Sequence, residues 1–326
     1  MNLARSSSAP EAASPIVFDS FETTPDFAAL REAVTARAWA RLEALLTALQ
    51  PDAASFALSA LAEVDEIEGF LEAAATENPH SAFANTALAM RHTAIGWAAR
   101  TQADVSSLAQ EPFTIFYEWL HKAEERLIAV CAEFPRFSPA WSARLTTAKG
   151  FQLGKSEAWR RYRHLNELSP HDFPAQALLL QHLTPKWMGT AEEAAAFAFD
   201  TADAAPPGSH SGALVAIYHI ERWLEFGGSE RGLTYMAQPA VLNELRRAAD
   251  RSVLHSGHTL DGPGVVAHNA FAMAFWLGKH QEELLTHLRL LDGRATEFPW
   301  SYSAGKPAEL GRPTSDLPIP VVGISE

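Results

Sequence analysis

The 326-residue chain has a single cysteine, Cys131, so no disulfide can form within it and a cysteine-rich zinc site is excluded. Cys131 falls on the apolar face of an expected helix, the ordinary place for a small buried hydrophobe. No apolar run approaches the roughly 20 residues that span a bilayer. Basic residues are scarce, 26 against 39 acidic, for a formal charge of −13. Nucleic acid is therefore not an expected partner, because displacing counterions from phosphate needs a basic stripe, and an anionic membrane surface is no better matched. Period-two alternation with β-branched enrichment is missing over any useful length, which removes strands. Gly-x-Ser-x-Gly, Ser-x-x-Lys and His-Glu-x-x-His are all absent. Acidic side chains are spread over expected helix surfaces, and no carboxylate pair stands out. The sequence thus assigns no catalytic residue, no metal and no cofactor.

What is present is a chain that is 47% hydrophobic, with 18 Phe and 9 Trp, enough to bury a substantial core. Residues 1–22 are expected to be a disordered leader, since the first fifteen carry one Arg and no apolar stretch of the kind a secretory signal needs. Residues 300–326, rich in proline and glycine, are expected to be an irregular tail. A modest acidic excess with one cysteine fits a cytoplasmic protein.

Between these ends, proline-bearing stops recur at Pro79, Pro135, Pro170 and Pro206. Pro135 to Pro170 is 35 residues and Pro170 to Pro206 is 36, whereas Pro79 to Pro135 is 56. A period in the mid-thirties with helix-forming sequence between stops is the mark of a helix-pair repeat. Helical spacing is clearest in Phe113, Phe116, Tyr117, Leu120, Leu127, Cys131 and Phe134, with Lys122, Glu124 and Glu125 off the stripe. Ser138 is placed to cap the next helix with Pro139 at its first position. Thr190 and Glu193 have capping-box spacing. Helices are also expected over 26–49, 63–76, 81–99, 173–183, 190–202, 211–226, 239–254, 264–277 and 280–291. Phe151-Gln152-Leu153-Gly154-Lys155 is echoed by Phe275-Trp276-Leu277-Gly278-Lys279, each Gly-Lys falling at a turn between paired helices where a positive φ suits glycine.

These features resemble a degenerate tetratricopeptide-type repeat, best over 135–206. Pro185-Lys186-Trp187-Met188-Gly189-Thr190 is similar to a Pro-Lys-Trp-Gly-Gly-Ser segment in an uncharacterised bacterial family with such helices, Met188 replacing a glycine. The resemblance implies an all-α fold, a helix-hairpin α-solenoid over 23–299. In such arrays the first helix of each pair lines a concave face. The register then assigns His92, Arg144, His182, His219 and Arg222 to a groove.

Other clusters are less specific. Gly154-Lys155-Ser156 resembles the end of a phosphate-binding loop, but Lys149 stands where the first glycine is required. His255, His258 and Asp261, with His268 further on, have donor atoms that suit zinc or iron, in a Gly- and Pro-rich loop where solvated histidines are the commoner case. Arg160, Arg161, Arg163 and His164 form the dense basic patch, expected as a solvated face with an Arg163–Glu167 pair. The functional expectation is a non-enzymatic scaffold that binds a protein or peptide partner through its concave face. Two alternatives stay open: a helical enzyme or metalloprotein with a His/Asp/Glu cluster assembled within the array, and a carrier with a Trp- and Phe-lined cavity.

Overall fold

The computed structural model of the chain describes residues 19–24, 27–106 and 111–302. Every regular element among them is helical and none is a strand. None of these helices is long and apolar enough to cross a membrane. In chain order they are α1 (Ser20–Thr23), α2 (Ala28–Thr35), α3 (Trp39–Ala48), α4 (Pro51–Ala62), α5 (Glu68–Glu77), α6 (Ala82–Ser106), α7 (Glu111–Glu133), α8 (Ser138–Gly150) and α9 (Lys155–Leu168). There follow α10 (Phe173–His182), α11 (Ala191–Ala204), α12 (Ala213–Glu225), α13 (Glu230–Met236), α14 (Pro239–Arg251), α15 (Gly262–Leu277), α16 (Gln281–Leu291) and α17 (Glu297–Trp300). Most of the expected leader and tail lies outside the described residues. The parts that are described hold α1 and the end of α17, whose Trp300 is buried with its Nε1 donating to Asn269 Oδ1 at 2.7 Å.

Proline sets many of the starts. Pro51, Pro139, Pro174, Pro239 and Pro263 each occupy the first turn of a helix, where the missing N–H costs nothing. Two local expectations are corrected. Phe137, not Ser138, is the N-cap of α8 and no side chain caps that end, whereas Thr190 does cap α11, accepting from Glu193 N at 3.1 Å. In the echoed turns, Gly154 takes the positive φ of 86° in the first copy, but Lys279 takes it in the second (φ 60°), with Gly278 at φ −78°. The expected helix over 26–49 is broken into α2 and α3 at Arg37 (φ 51°), and α4 and α13 were not expected at all.

Neighbouring helices pack together, α6 with α7, α8 with α9, α11 with α12 and α15 with α16, and α8, α10, α12 and α15 also pack in succession. The surprise is α4. This short helix, with Ala54, Ala57, Leu58, Ala60 and Leu61 buried, lies against α6, α8, α10 and α15 together. Small side chains allow that close approach to four helices at once, and their burial supplies the driving force. One extended apolar core runs from Leu145 to Trp300 and a second fills the N-terminal helices. The sides of α6, α8, α10 and α15 that face α4 are therefore shut inside protein.

Candidate functional site

Four of the five residues assigned to a groove are buried, and each has its own neighbours. His92 packs its ring 5.0 Å from that of Trp119, and its Nδ1 has no hydrogen-bond partner. Burial, followed by the charges of Arg126 and Lys122, brings its pKa down to about 4. Arg144 donates from Nη2 to Glu124 Oε1 at 2.8 Å. His182 Nε2 lies 3.1 Å from Leu145 O. His219 Nδ1 meets Tyr235 Oη at 2.7 Å and its Nε2 lies 3.1 Å from Glu244 Oε2; burial outweighs that carboxylate and lowers the imidazole pKa. Arg222, one turn on, pairs with Glu225 and lies over Phe226. No hydrogen bond or ion pair joins any two of the five.

The basic patch also divides. Arg161 is 3% exposed and donates to Glu124 at 2.8 Å, to Glu157 at 2.7 Å and to the Arg144 carbonyl at 2.5 Å, so it belongs to a buried network rather than a solvated face. Thr147 Oγ1 completes that network, donating to Glu124 Oε2 at 2.5 Å. Hydrogen bonds from Arg160 and then Arg161 overcome partial burial and hold Glu157 at about 2. Arg163 donates to Trp159 O, not to Glu167.

Loop and helix histidines together form a row. His210 pairs with Asp261 (3.2 Å), His210 and His258 rings lie 5.1 Å apart, His258 and His268 5.1 Å, and His268 Nδ1 meets His287 Nδ1 at 3.0 Å. Asp261 outweighs burial and raises the His210 pKa, while burial takes His268 down to about 3 and His287 to about 4. His255 stays apart and accepts from Gly257 N. Among the described residues no group of three His, Cys, Asp or Glu is placed to hold a metal ion.

A different cluster gathers charge without neutralising it. Lys149, the next-to-last residue of α8, donates from Nζ to Gln181 Oε1 of α10 at 2.9 Å. Its ammonium lies 5.3 Å from the ring centre of Trp97 and 5.4 Å from that of Trp187. Arg100 of α6 stacks on the same two rings and on Phe116. Lys186 sits 2.7 Å from the buried Glu221 Oε2 of α12 and 5.5 Å from the Tyr302 ring centre. Tyr302 Oη lies 3.4 Å from Glu221 Oε1 and accepts weakly from Gln181 Nε2.

The Pro-Lys-Trp segment is the hinge of this arrangement. After α10, residues Pro185–Trp187 make a single 3₁₀ turn, closed by Gly189 N donating to Thr184 O at 3.0 Å. A Cβ on Gly189 would lie 1.9 Å from Leu183 O, so only glycine lets the chain fold back this tightly. The turn delivers Trp187 edge-on to Trp97, with centroids 6.2 Å apart.

Three cations thus face one carboxylate between aromatic walls, in a chain whose net charge is strongly negative. Neither Lys149 nor Arg100 is ion-paired with an acid among the residues whose side chains are described. Burial is the main cause that takes the Lys149 pKa down to about 8; Lys186 and Arg100 push the same way and Glu221 opposes them. Cations gathered between aromatic rings are groups that could hold an anion with a planar or apolar portion. Lys149 was missed in the sequence, where it serves only to break the phosphate-loop pattern. The Pro-Lys-Trp segment was the available signal. No protein family and no curated protein matches the chain.

Proposed function

We propose that the chain is a non-enzymatic protein- or peptide-binding scaffold, a tetratricopeptide-like α-solenoid of helix hairpins. Its concave side is occupied by α4, and its partner docks where α6, α8, α10 and α12 meet the Pro185–Trp187 turn. The observation that carries this reading is the excess of cations around Trp97 and Trp187. An acidic segment of the partner would supply the missing carboxylates, and the rings would shield the contact from water, which strengthens it. Trp97 and Trp187 also supply the readout, through their emission on titration with acidic, neutral and basic peptides. Acidic peptides alone should bind, and Lys149→Met or Lys186→Met should weaken them about tenfold, the loss of one charge-assisted hydrogen bond. Equal binding of neutral peptides, or undiminished binding by both variants, would sink the reading.

The alternative of a helical enzyme rests on a separate observation. His210 and His258 are neighbours with oppositely shifted pKa values, an acid beside a base. A turnover abolished by His210→Gln, with acidic-peptide binding intact, would support it.

A further inference from the structure

The peptide-binding reading uses the Lys149 cluster for its charge alone, and the chemistry of the amine goes further. The chain has six lysines. Lys155 is held by Glu193 and Lys186 by Glu221, each at 2.7 Å, so both ammonium groups are ion-paired with a carboxylate. Lys122 lies over the Trp119 ring in an exposed position. Lys149 differs from these: its stem is only partly exposed, its head lies against two indole rings, and its hydrogen-bond acceptor is the neutral amide of Gln181. Arg100 shares the Trp97 and Trp187 rings with it, and Lys186, next to Trp187 in the chain, is close enough for its charge to be felt.

We propose that Lys149 is a covalent acceptor for small anionic carbonyl compounds, 2-oxo acids and short aldehyde acids. Its amine condenses with the carbonyl carbon while the ligand's carboxylate lies against Arg100 and Lys186. The inference concerns the same site as the scaffold reading and adds a ligand class and a bond to it.

The neutral amine adds its lone pair to the carbonyl carbon, and the carbonyl π pair moves onto oxygen. That oxygen takes up the proton released by nitrogen, giving a carbinolamine. Protonation of the hydroxyl lets it leave as water while the nitrogen lone pair closes the C=N bond. One water is released for each imine formed, and nothing is oxidised or reduced. Protonated, the imine keeps the positive charge of the lysine it replaces. The cluster then holds three cations against two carboxylates instead of one, closer to balance than before.

The neutral amine this step needs is already abundant. With a pKa of about 8, about one Lys149 side chain in ten is unprotonated at pH 7, against about one in several thousand for an ordinary lysine. A lysine desolvated beside another cation is a recognised way to make an amine nucleophile.

The test uses the full chain with glyoxylate or pyruvate and cyanoborohydride, which reduces the imine to a stable secondary amine. Peptide mass spectrometry then reads the label on all six lysines. Lys149 should label about tenfold or more faster than any other lysine, with the initial rate rising as pH goes up towards 8. Acetaldehyde, which lacks the carboxylate, should lose that preference. In Lys149→Arg the total label should fall to the level of the exposed lysines. Label spread evenly over exposed lysines, or Lys149 among the last to react, would overturn the proposal. Equal preference with acetaldehyde would overturn the role of Arg100 and Lys186. If Lys149→Arg does not fold, the distribution of label on the native chain decides alone. Labelling is read with no peptide present, so this inference and the scaffold reading fail independently.

Discussion

Two charged clusters sit one turn apart on α8 and have opposite characters. Around Arg144, the carboxylates of Glu124 and Glu157 are shared by Arg144, Arg160 and Arg161, and Thr147 satisfies a further oxygen lone pair. Around Lys149, three cations have Glu221 alone. In both clusters the side chains carried by α8 are largely withdrawn from water. In the first, nearly every donor has an acceptor, so the desolvation of each charge is offset by a partner. In the second, the lysine responds to the missing partner by shifting its pKa, and the tryptophan faces substitute for carboxylates. Balance marks the network that holds α7, α8 and α9 together. Imbalance marks the place where the proposed acidic partner would dock.

The largest effect is expected from breaking the balanced network. Glu124→Ala leaves Arg161, 3% exposed, without its main carboxylate, and should cost about 3–5 kcal/mol in urea unfolding. A loss below about 1 kcal/mol would show that Glu157 and the Arg144 carbonyl suffice, and the contrast between the clusters would weaken.

Lys149→Met makes the opposite prediction. Removing a desolvated ammonium should leave stability at pH 7 unchanged or raised. The pH dependence is more diagnostic. The native pKa of about 8 lies below the ordinary 10.5, so between those values the unfolded chain keeps a proton that the native chain has lost. Stability therefore rises with pH through that window, by about 3 kcal/mol in all, and is flat with respect to this group below 8. Urea midpoints at pH 7.5 and 10 should diverge between the native chain and Lys149→Met, and a constant difference would remove Lys149 from the argument. Glu221→Gln sharpens the same point, because Glu221 is the carboxylate that raises the Lys149 pKa. Its loss should move the start of the window to lower pH and tighten acidic-peptide binding by on the order of twofold to fivefold, more at low salt.

How far these clusters could be read in the sequence follows from what each needs. Helix positions were legible because proline and apolar spacing act locally: Pro139, Pro174, Pro239 and Pro263 all stand in a first turn. The faces of those helices were not. His92, His182 and His219 are shut in by neighbours distant in sequence: Trp119 for His92, the Leu145 carbonyl for His182, and Tyr235 and Glu244 for His219. Nor was α4 legible: rich in alanine and buried over much of its surface, it carries no clean stripe to announce it. Arg161 and Glu124 share no local pattern, being 37 residues apart. Lys149 looks like any lysine before a turn, and its environment comes from Trp97 and Trp187, on opposite sides of it in sequence. Only the Pro-Lys-Trp segment pointed to the place, and it did so without indicating a chemistry.

The smallest expected effect concerns that segment. Met188 has φ 78° and ψ 11°, in the left-handed region, and its side chain is 52% exposed. The resembled pattern carries glycine at this position. Left-handed backbone costs a non-glycine residue roughly 1–2 kcal/mol, while glycine loses roughly 0.5–1 kcal/mol more conformational entropy on folding. The two nearly cancel, and Met188→Gly should stabilise the chain by about 0.5 kcal/mol, read as a small rise in urea midpoint. Acidic-peptide affinity should not change, because the turn that presents Lys186 and Trp187 is closed by backbone groups, Gly189 N to Thr184 O and Met188 N to Pro185 O, and not by the Met188 side chain. If affinity falls with Met188→Gly while stability rises, the methionine side chain itself belongs to the docking surface, and the unbalanced cluster extends one residue further than its charges show.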